Sequence, residues 1–292
     1  MKDFDKQSVI FLGLTVPLTL LFWIPLALRL NGSAGFTGQL LLFSGGSVPS
    51  LVALGLVATT WQKEDRRDFL WRTFTLRGVR PLTFLILFIP LLINAGVFVF
   101  YAVLNRPLSL QLILNILNEP FQYGRLIVTI FLFGPLSQEI GWRGYLLDPI
   151  RRRLRAKRSR FLADFWASFV VGFIWGAWQL PLFFVIGTGQ YETRLFSVEW
   201  FGFMLNFLLV SIIYTWQHHV TNRNILMAIL YRFMANLSRI LILASNDPLG
   251  PLWEILTILI TTMFVLGVLV APWGLEYEPP KPEPTPRPDR KT

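Results

Sequence analysis

Three short clusters of polar side chains interrupt otherwise apolar sequence. The run PLSQEIGWRGYLLDPI puts Gln138, Glu139 and Arg143 within two helical turns, GFIWGAWQLPLFF puts Gln179 before Pro181, and ILYRFMANLS puts Arg232 and Asn236 one turn apart on one face. Carboxylates, amides and guanidiniums that converge inside a protein could bind and polarise a carbonyl, and with a general base among them could hydrolyse it. The base is the difficulty. A Gln carboxamide does not accept a proton at neutral pH, and an Arg guanidinium does not give one up. Glu139 is the one carboxylate of the set, and on a regular helix it points about 100° away from Gln138 and toward Arg143 at i+4, a pairing that favours its ionised form and weakens it as a base. With no cysteine in the chain, thiol nucleophiles, thiolate metal ligands and disulfides are excluded. The two histidines, His218 and His219, are consecutive and diverge around a helix at its edge, so no metal site and no cofactor is expected. A Gly-rich phosphate loop and a Walker-type Lys are also missing.

The elements that must position these residues are membrane helices. Hydrophobic residues make up 53% of the chain, charged residues only 15%, and mean hydropathy is +0.52, too apolar for an ordinary water-facing surface. Apolar runs long enough to cross a bilayer lie near 9–30, 38–60, 82–104, 124–147, 161–187, 198–219, 224–244 and 252–272. The fold expected is therefore all-α: a polytopic transmembrane bundle of about eight spans, with residues 1–275 as one membrane-embedded domain. The first run continues into Arg29, Leu30 and Asn31 without a small-residue cleavage site and is read as an uncleaved span. Basic residues concentrate in alternate loops: Lys63 to Arg80, Arg151 to Arg160 (RRRLRAKRSR), and Arg223. By the positive-inside rule those loops and both termini are cytoplasmic, and the basic run contacts anionic lipid rather than nucleic acid. The abundant Phe and Trp are expected to face lipid or the interface. Asp65 to Arg80 mixes Arg with Phe and Trp and suits either a helix in the headgroup layer or plain loop, and 276–292 is a Pro-rich, charged stretch expected to be a disordered cytoplasmic tail. No internal repeat stands out.

Taken at about 1.5 Å per residue from the ends of their spans, Gln179, Arg232 and Asn236 lie roughly 10–25 Å deep, and Gln138 reaches similar depth from the other direction. Ionisable residues there cost a few kcal/mol each and are functional-site candidates. The plainer reading makes Gln138, Gln179 and Asn236 ordinary interhelical hydrogen-bonding residues and Glu139 with Arg143 a structural ion pair.

These motifs carry a resemblance. From about Leu136 to Leu237 the chain resembles the CPBP family (CAAX proteases and bacteriocin-processing enzymes, also called ABI) of intramembrane proteases. Members typically read EExxxR, then FxxxH within a W-H-x-P phrase, then HxxxN. Here the three motifs read QEIGWR from Gln138 to Arg143, WGAWQ from Trp175 to Gln179 ahead of Leu180 and Pro181, and RFMAN from Arg232 to Asn236. In an active member the resemblance implies that the first Glu and the second-motif His activate water while the third-motif His and Asn steady the oxyanion. Those roles fall here on Gln138, Gln179, Arg232 and Asn236, and only Asn236 is unchanged.

The resulting expectation is a catalytically degenerate, integral membrane pseudoprotease in a prokaryotic plasma membrane. It would offer a polar cavity open toward the cytoplasm to another membrane protein or a peptide tail. Within that site Arg232 should gather Glu139, Gln138, Gln179 and Asn236 into a cluster that shuts out the catalytic water. The alternatives are an active intramembrane endopeptidase with relocated catalytic groups, of CAAX-type prenyl protease or bacteriocin-processing kind, and a small-molecule transporter. A discontinuous helix together with two similar halves would favour the transporter.

Overall fold

A computed structural model describes residues 6–29, 31–104, 109–243 and 250–270, and the Pro-rich stretch 276–292 lies outside the described residues. The order along the chain is α1 (Lys6–Ala27), α2 (Gly35–Thr60), α3 (Lys63–Phe74), a 3₁₀ segment (Pro81–Phe88) running into α4 (Ile89–Val103), α5 (Gln111–Asn118) and α6 (Pro120–Phe131). A kinked stretch (Leu132–Leu136), α7 (Ser137–Glu139) and a π-helical turn (Ile140–Leu146) lead into α8 (Leu147–Arg155). Then come α9 (Arg160–Trp178), a 3₁₀ turn (Leu180–Phe184), α10 (Gly189–Glu192), α11 (Val198–Val220), α12 (Ile225–Leu243) and α13 (Gly250–Val270). The described residues contain no strand, so the chain is an all-α integral membrane protein.

Six helical stretches among the described residues are long and apolar enough to cross a membrane: Lys6–Ala27, Gly35–Thr60, Pro81–Val103, Arg160–Phe184, Val198–Val220 and Trp253–Val270. The two remaining sequence-predicted spans, 124–147 and 224–244, are the ones that carry Glu139, Arg143 and Arg232. The first is broken at Phe133 and Gly134, whose backbone angles are non-helical. The second, α12, is regular but carries Arg232 and Arg239.

Close packing fixes where those groups meet. α9 and α11 approach at Gly172, where a Cβ would fall 2.8 Å from Ser211 Cβ and 2.9 Å from the Phe207 carbonyl, so only glycine lets the two backbones come together. Gly141, on the π-helical turn, plays the same part against α2: a Cβ would sit 2.6 Å from the Pro49 carbonyl oxygen. The core also takes the large aromatics. Trp23, Trp142, Trp175, Trp178, Trp216 and Trp253 are buried, which corrects the expectation that tryptophan here mostly faces lipid. Phe11, Trp142, Trp178 and Trp23 form a continuous run of ring contacts with centroids 4.6–5.8 Å apart.

The segment Asp65–Arg80 is part helix and part loop. Its helical part, α3, does not simply float at an interface: Phe69 is fully buried, edge-on to Trp61 with ring centroids 5.4 Å apart, and Arg72 donates to the Arg223 carbonyl at 3.3 Å. This end of the bundle thus gathers α3, the α8–α9 junction and the turn between α11 and α12.

Candidate functional site

Gln138, Glu139 and Arg143 owe their placement to the broken span. Pro135 has no N–H to give and ends the α6 direction. Just past the break the Leu136 carbonyl accepts from the Ser50 hydroxyl of α2 at 3.0 Å, which ties the interrupted segment to its neighbour. Beyond it the chain restarts as α7 and then widens into the π-helical turn from Ile140 to Leu146. Gln138 and Glu139 serve the same partner. Arg232 Nη1 lies 2.6 Å from Glu139 Oε1, and Arg232 Nη2 donates to Gln138 Oε1 at 2.9 Å. The two are neighbours on α7, and separate nitrogens of the one guanidinium reach them.

Glu139 is fully buried and shared between two cations. Arg143 Nη1 sits 3.1 Å and 3.3 Å from its two carboxylate oxygens, as i+4 spacing predicts. The indole of Trp175 joins the same group. Its Nε1–H donates to Gln138 Oε1 at 3.2 Å, the Arg143 and Arg232 guanidinium carbons lie 4.2 Å and 4.5 Å from its ring centroid, and Arg143 also lies 4.1 Å from the Tyr214 ring. Sequence reasoning named neither Trp175 nor Tyr214 as a site residue. The available signal was Trp175 as first residue of the WGAWQ motif, one helical turn before Gln179.

Gln179 and Asn236 are placed differently. Gln179 caps the end of α9, and its Oε1 accepts from Gln190 Nε2 of α10 at 2.6 Å, so it ties a loop rather than joining Arg232. Asn236 lies one turn beyond Arg232 on α12 with its Nδ2 against the Gly134 backbone, where a Cβ would come within 3.1 Å. It is not one of the two side chains that take Arg232's hydrogen bonds. The Arg232 cluster thus contains Gln138, Glu139 and Arg143, and leaves Gln179 and Asn236 outside its hydrogen bonding.

Nor is the space shut. A cavity of about 450 Å³ runs between α4, α9, α11, α12 and α13, with Trp175, Tyr214, Tyr231 and Arg232 deep in it and Asn236 on its wall. At its other end stand Thr193, Glu199, Arg239 and Glu254. Those residues lie at the end of the bundle opposite the basic run, since α9 starts at Arg160 on one end and reaches Trp178 near the other. A cavity that opens toward the cytoplasm and a cytoplasmic Arg151–Arg160 run are therefore incompatible expectations: the structure puts the two at opposite ends.

At the basic end a second polar network is buried. Asp148 of α8 meets His218 Nε2 at 3.1 Å, Arg151 Nη1 at 3.3 Å and Arg223 Nε at 2.9 Å. Asp164 of α9 meets Arg151 Nε at 2.9 Å, Arg155 Nη2 at 2.6 Å and His219 Nε2 at 2.7 Å. Burial pushes the Asp148 carboxyl up, but His218, Arg223 and Arg151 outweigh it and hold the group well below the usual carboxylate range. The two histidines do diverge, each onto its own aspartate, but they are core residues rather than edge ones, and no set of three or more metal-ligating side chains is found among the described residues. Arg151 and Arg155 are likewise committed to acids inside the protein. What this end can do chemically is join three loops.

Residues 120–238, from α6 to most of α12, match the family described as Type II CAAX prenyl endopeptidase Rce1-like. The matched stretch holds all six candidate positions. Over 240 residues the chain is 28% identical to CAAX prenyl protease 2 of Methanococcus maripaludis, covering 80% of this chain and 84% of that protein.

Proposed function

From the premise that this chain is a CAAX-protease-like membrane protein of the Rce1-like family, we propose that its site binds rather than cleaves: a pseudoprotease whose intramembrane cavity serves a partner or ligand. One observation carries the reading. The Arg232 guanidinium, 2.6 Å from Glu139 and 2.9 Å from Gln138, stands where the family motif has a histidine. Arg232 cannot take up a proton, Gln138 and Gln179 cannot act as bases, and Glu139 is ion-paired with two guanidiniums. Losing one general base typically costs about 10²–10⁴ in rate, and here each family base position is altered.

The name of the archaeal relative points to prenylated peptide tails as the substrate to try. Purified full-length chain is expected to release no product above background from prenylated or unprenylated peptides. Turnover that disappears in Glu139→Ala would replace this reading with an endopeptidase whose catalytic groups have moved. The break at Phe133 and Gly134 supplies the discontinuous helix that the transporter reading asks for. Its other requirement, a pair of similar halves, has no counterpart in the sequence.

A further inference from the structure

The deep end of the cavity is unbalanced in charge. Two guanidiniums, Arg143 and Arg232, share one carboxylate, Glu139, which leaves one positive charge in excess among buried groups. The acids that line the cavity, Glu199 and Glu254, stand at its far end, and Arg232's one ion pair among the described residues is with Glu139. An excess charge away from water is costly, and an anion drawn into the cavity would remove that cost. Arg232 is equipped to receive one. It is buried, it lines the cavity, and Glu139 and Gln138 take two of the five N–H donors a guanidinium carries. The Thr257 hydroxyl, also on the cavity wall and buried, has no hydrogen-bond partner in the protein.

The walls between Arg232 and the far end mix apolar side chains, Ile93 of α4, Phe203, Phe207 and Val210 of α11 and Ile258 of α13, with Asn94, Asn206 and Thr261. A cavity of about 450 Å³ falls within the range of roughly 300–1,000 Å³ that holds small ligands. That is the scale of one small ligand, such as a single alkyl chain with its head.

We propose that this cavity binds a single-chain amphipathic anion, its charged head on Arg232 and its alkyl chain along the apolar faces of α11 and α13. The proposal rests on reading the site as one that binds rather than hydrolyses, and it names the ligand class. A carboxylate or a phosphate ester would satisfy the head, because a guanidinium fork matches both.

The test uses the full-length chain in zwitterionic phosphatidylcholine nanodiscs at about pH 8, where a carboxylic acid is ionised. Saturable uptake of radiolabelled dodecanoate is measured above that of empty nanodiscs, with unlabelled dodecanoate, dodecyl phosphate and dodecanol as competitors. Dodecanol is expected to compete at least tenfold more weakly than dodecanoate, and Arg232→Gln to weaken binding by a similar factor. Ala235→Phe, which puts a ring into the cavity and keeps every charged group in the chain, should abolish it, and it keeps the test decisive if Arg232→Gln fails to fold. Competition by dodecanoate and dodecyl phosphate alike supports a site for lipid-derived anions generally; competition by dodecanoate alone supports a fatty-acid site. Equal competition by dodecanol, or unchanged binding in Ala235→Phe, overturns the proposal. So does displacement by a short apolar peptide with a free carboxyl terminus at tenfold lower concentration than dodecanoate. Peptide cleavage, which would sink the pseudoprotease reading, is scored separately by product release.

Discussion

Removing charges one at a time from the Arg143–Glu139–Arg232 group should produce an order of damage set by net charge rather than by hydrogen-bond count. Arg232→Leu takes away two hydrogen bonds, at 2.6 Å and 2.9 Å, but leaves Arg143 paired with Glu139 and the group neutral. Breaking a buried ion pair costs about 3–5 kcal/mol, and the lower end applies because the surviving pair is intact and the excess charge has gone. Glu139→Gln does the opposite: it leaves two guanidiniums facing a neutral amide, and the upper end or more is expected. Gln179→Leu loses only its neutral bond from Gln190, an interaction worth about 0.6 kcal/mol on average and at most ~1.7 between membrane helices. At roughly 2 °C per kcal/mol for a domain of this size, the melting temperature should fall by about 6 °C for Arg232→Leu, by ~10 °C or beyond recovery for Glu139→Gln, and by about 1–3 °C for Gln179→Leu. Size-exclusion yield after graded heating in mild detergent reads all three. Equal loss in Arg232→Leu and Gln179→Leu would show that the arginine is a tolerated passenger. A Glu139→Gln variant more stable than Arg232→Leu would refute the charge argument itself.

Single cysteines introduced at Thr188 and Lys157 of this cysteine-free chain should be labelled by an impermeant reagent from opposite faces of the membrane; labelling from one face would refute the topology read from the basic loops. Acid should release the loop clasp at Asp148. Its carboxyl is held below its unfolded value of about 3.9, so its contribution is fully present above that pH and is lost as pH falls through the lower folded value. The stability gap between the wild type and Asp148→Asn should then be constant from about pH 7 to 5 and shrink below about pH 4; a gap that closes near neutrality would shift the cause to His218.

The bundle was legible where composition decides the matter. Six apolar runs needed only length and hydropathy, and the motif spacing singled out Arg232, Glu139 and Gln138 before any coordinates. Arg143 reaches Glu139 at i+4, as the spacing suggests, whereas the exclusion of Gln179 and Asn236 from the Arg232 hydrogen bonds depends on how the helices pack and could not be read from motif spacing. His218 and His219 diverge as consecutive residues must, but nothing local could tell that Asp148 and Asp164 from two other helices would bury them. Trp175 was hidden for a similar reason. An indole reads the same in a list whether it meets lipid or two guanidiniums, and the partners sit 32 positions before it and 57 after it in the chain.

The sharing of Glu139 between a neighbour on its own turn and a residue 93 positions later also bears on how the chain is made. Glu139 and Arg143 can leave the ribosome and enter the bilayer as an already neutralised couple. Arg232 has no acidic companion in α12. The carboxylate that pairs with it is installed earlier in synthesis, so α12 presented alone to the insertion machinery should be held less firmly than the same helix behind the preceding segments. The hold of α12 in the bilayer is thus conditioned by what has been built before it, and its arginine ties that hold to the order of assembly.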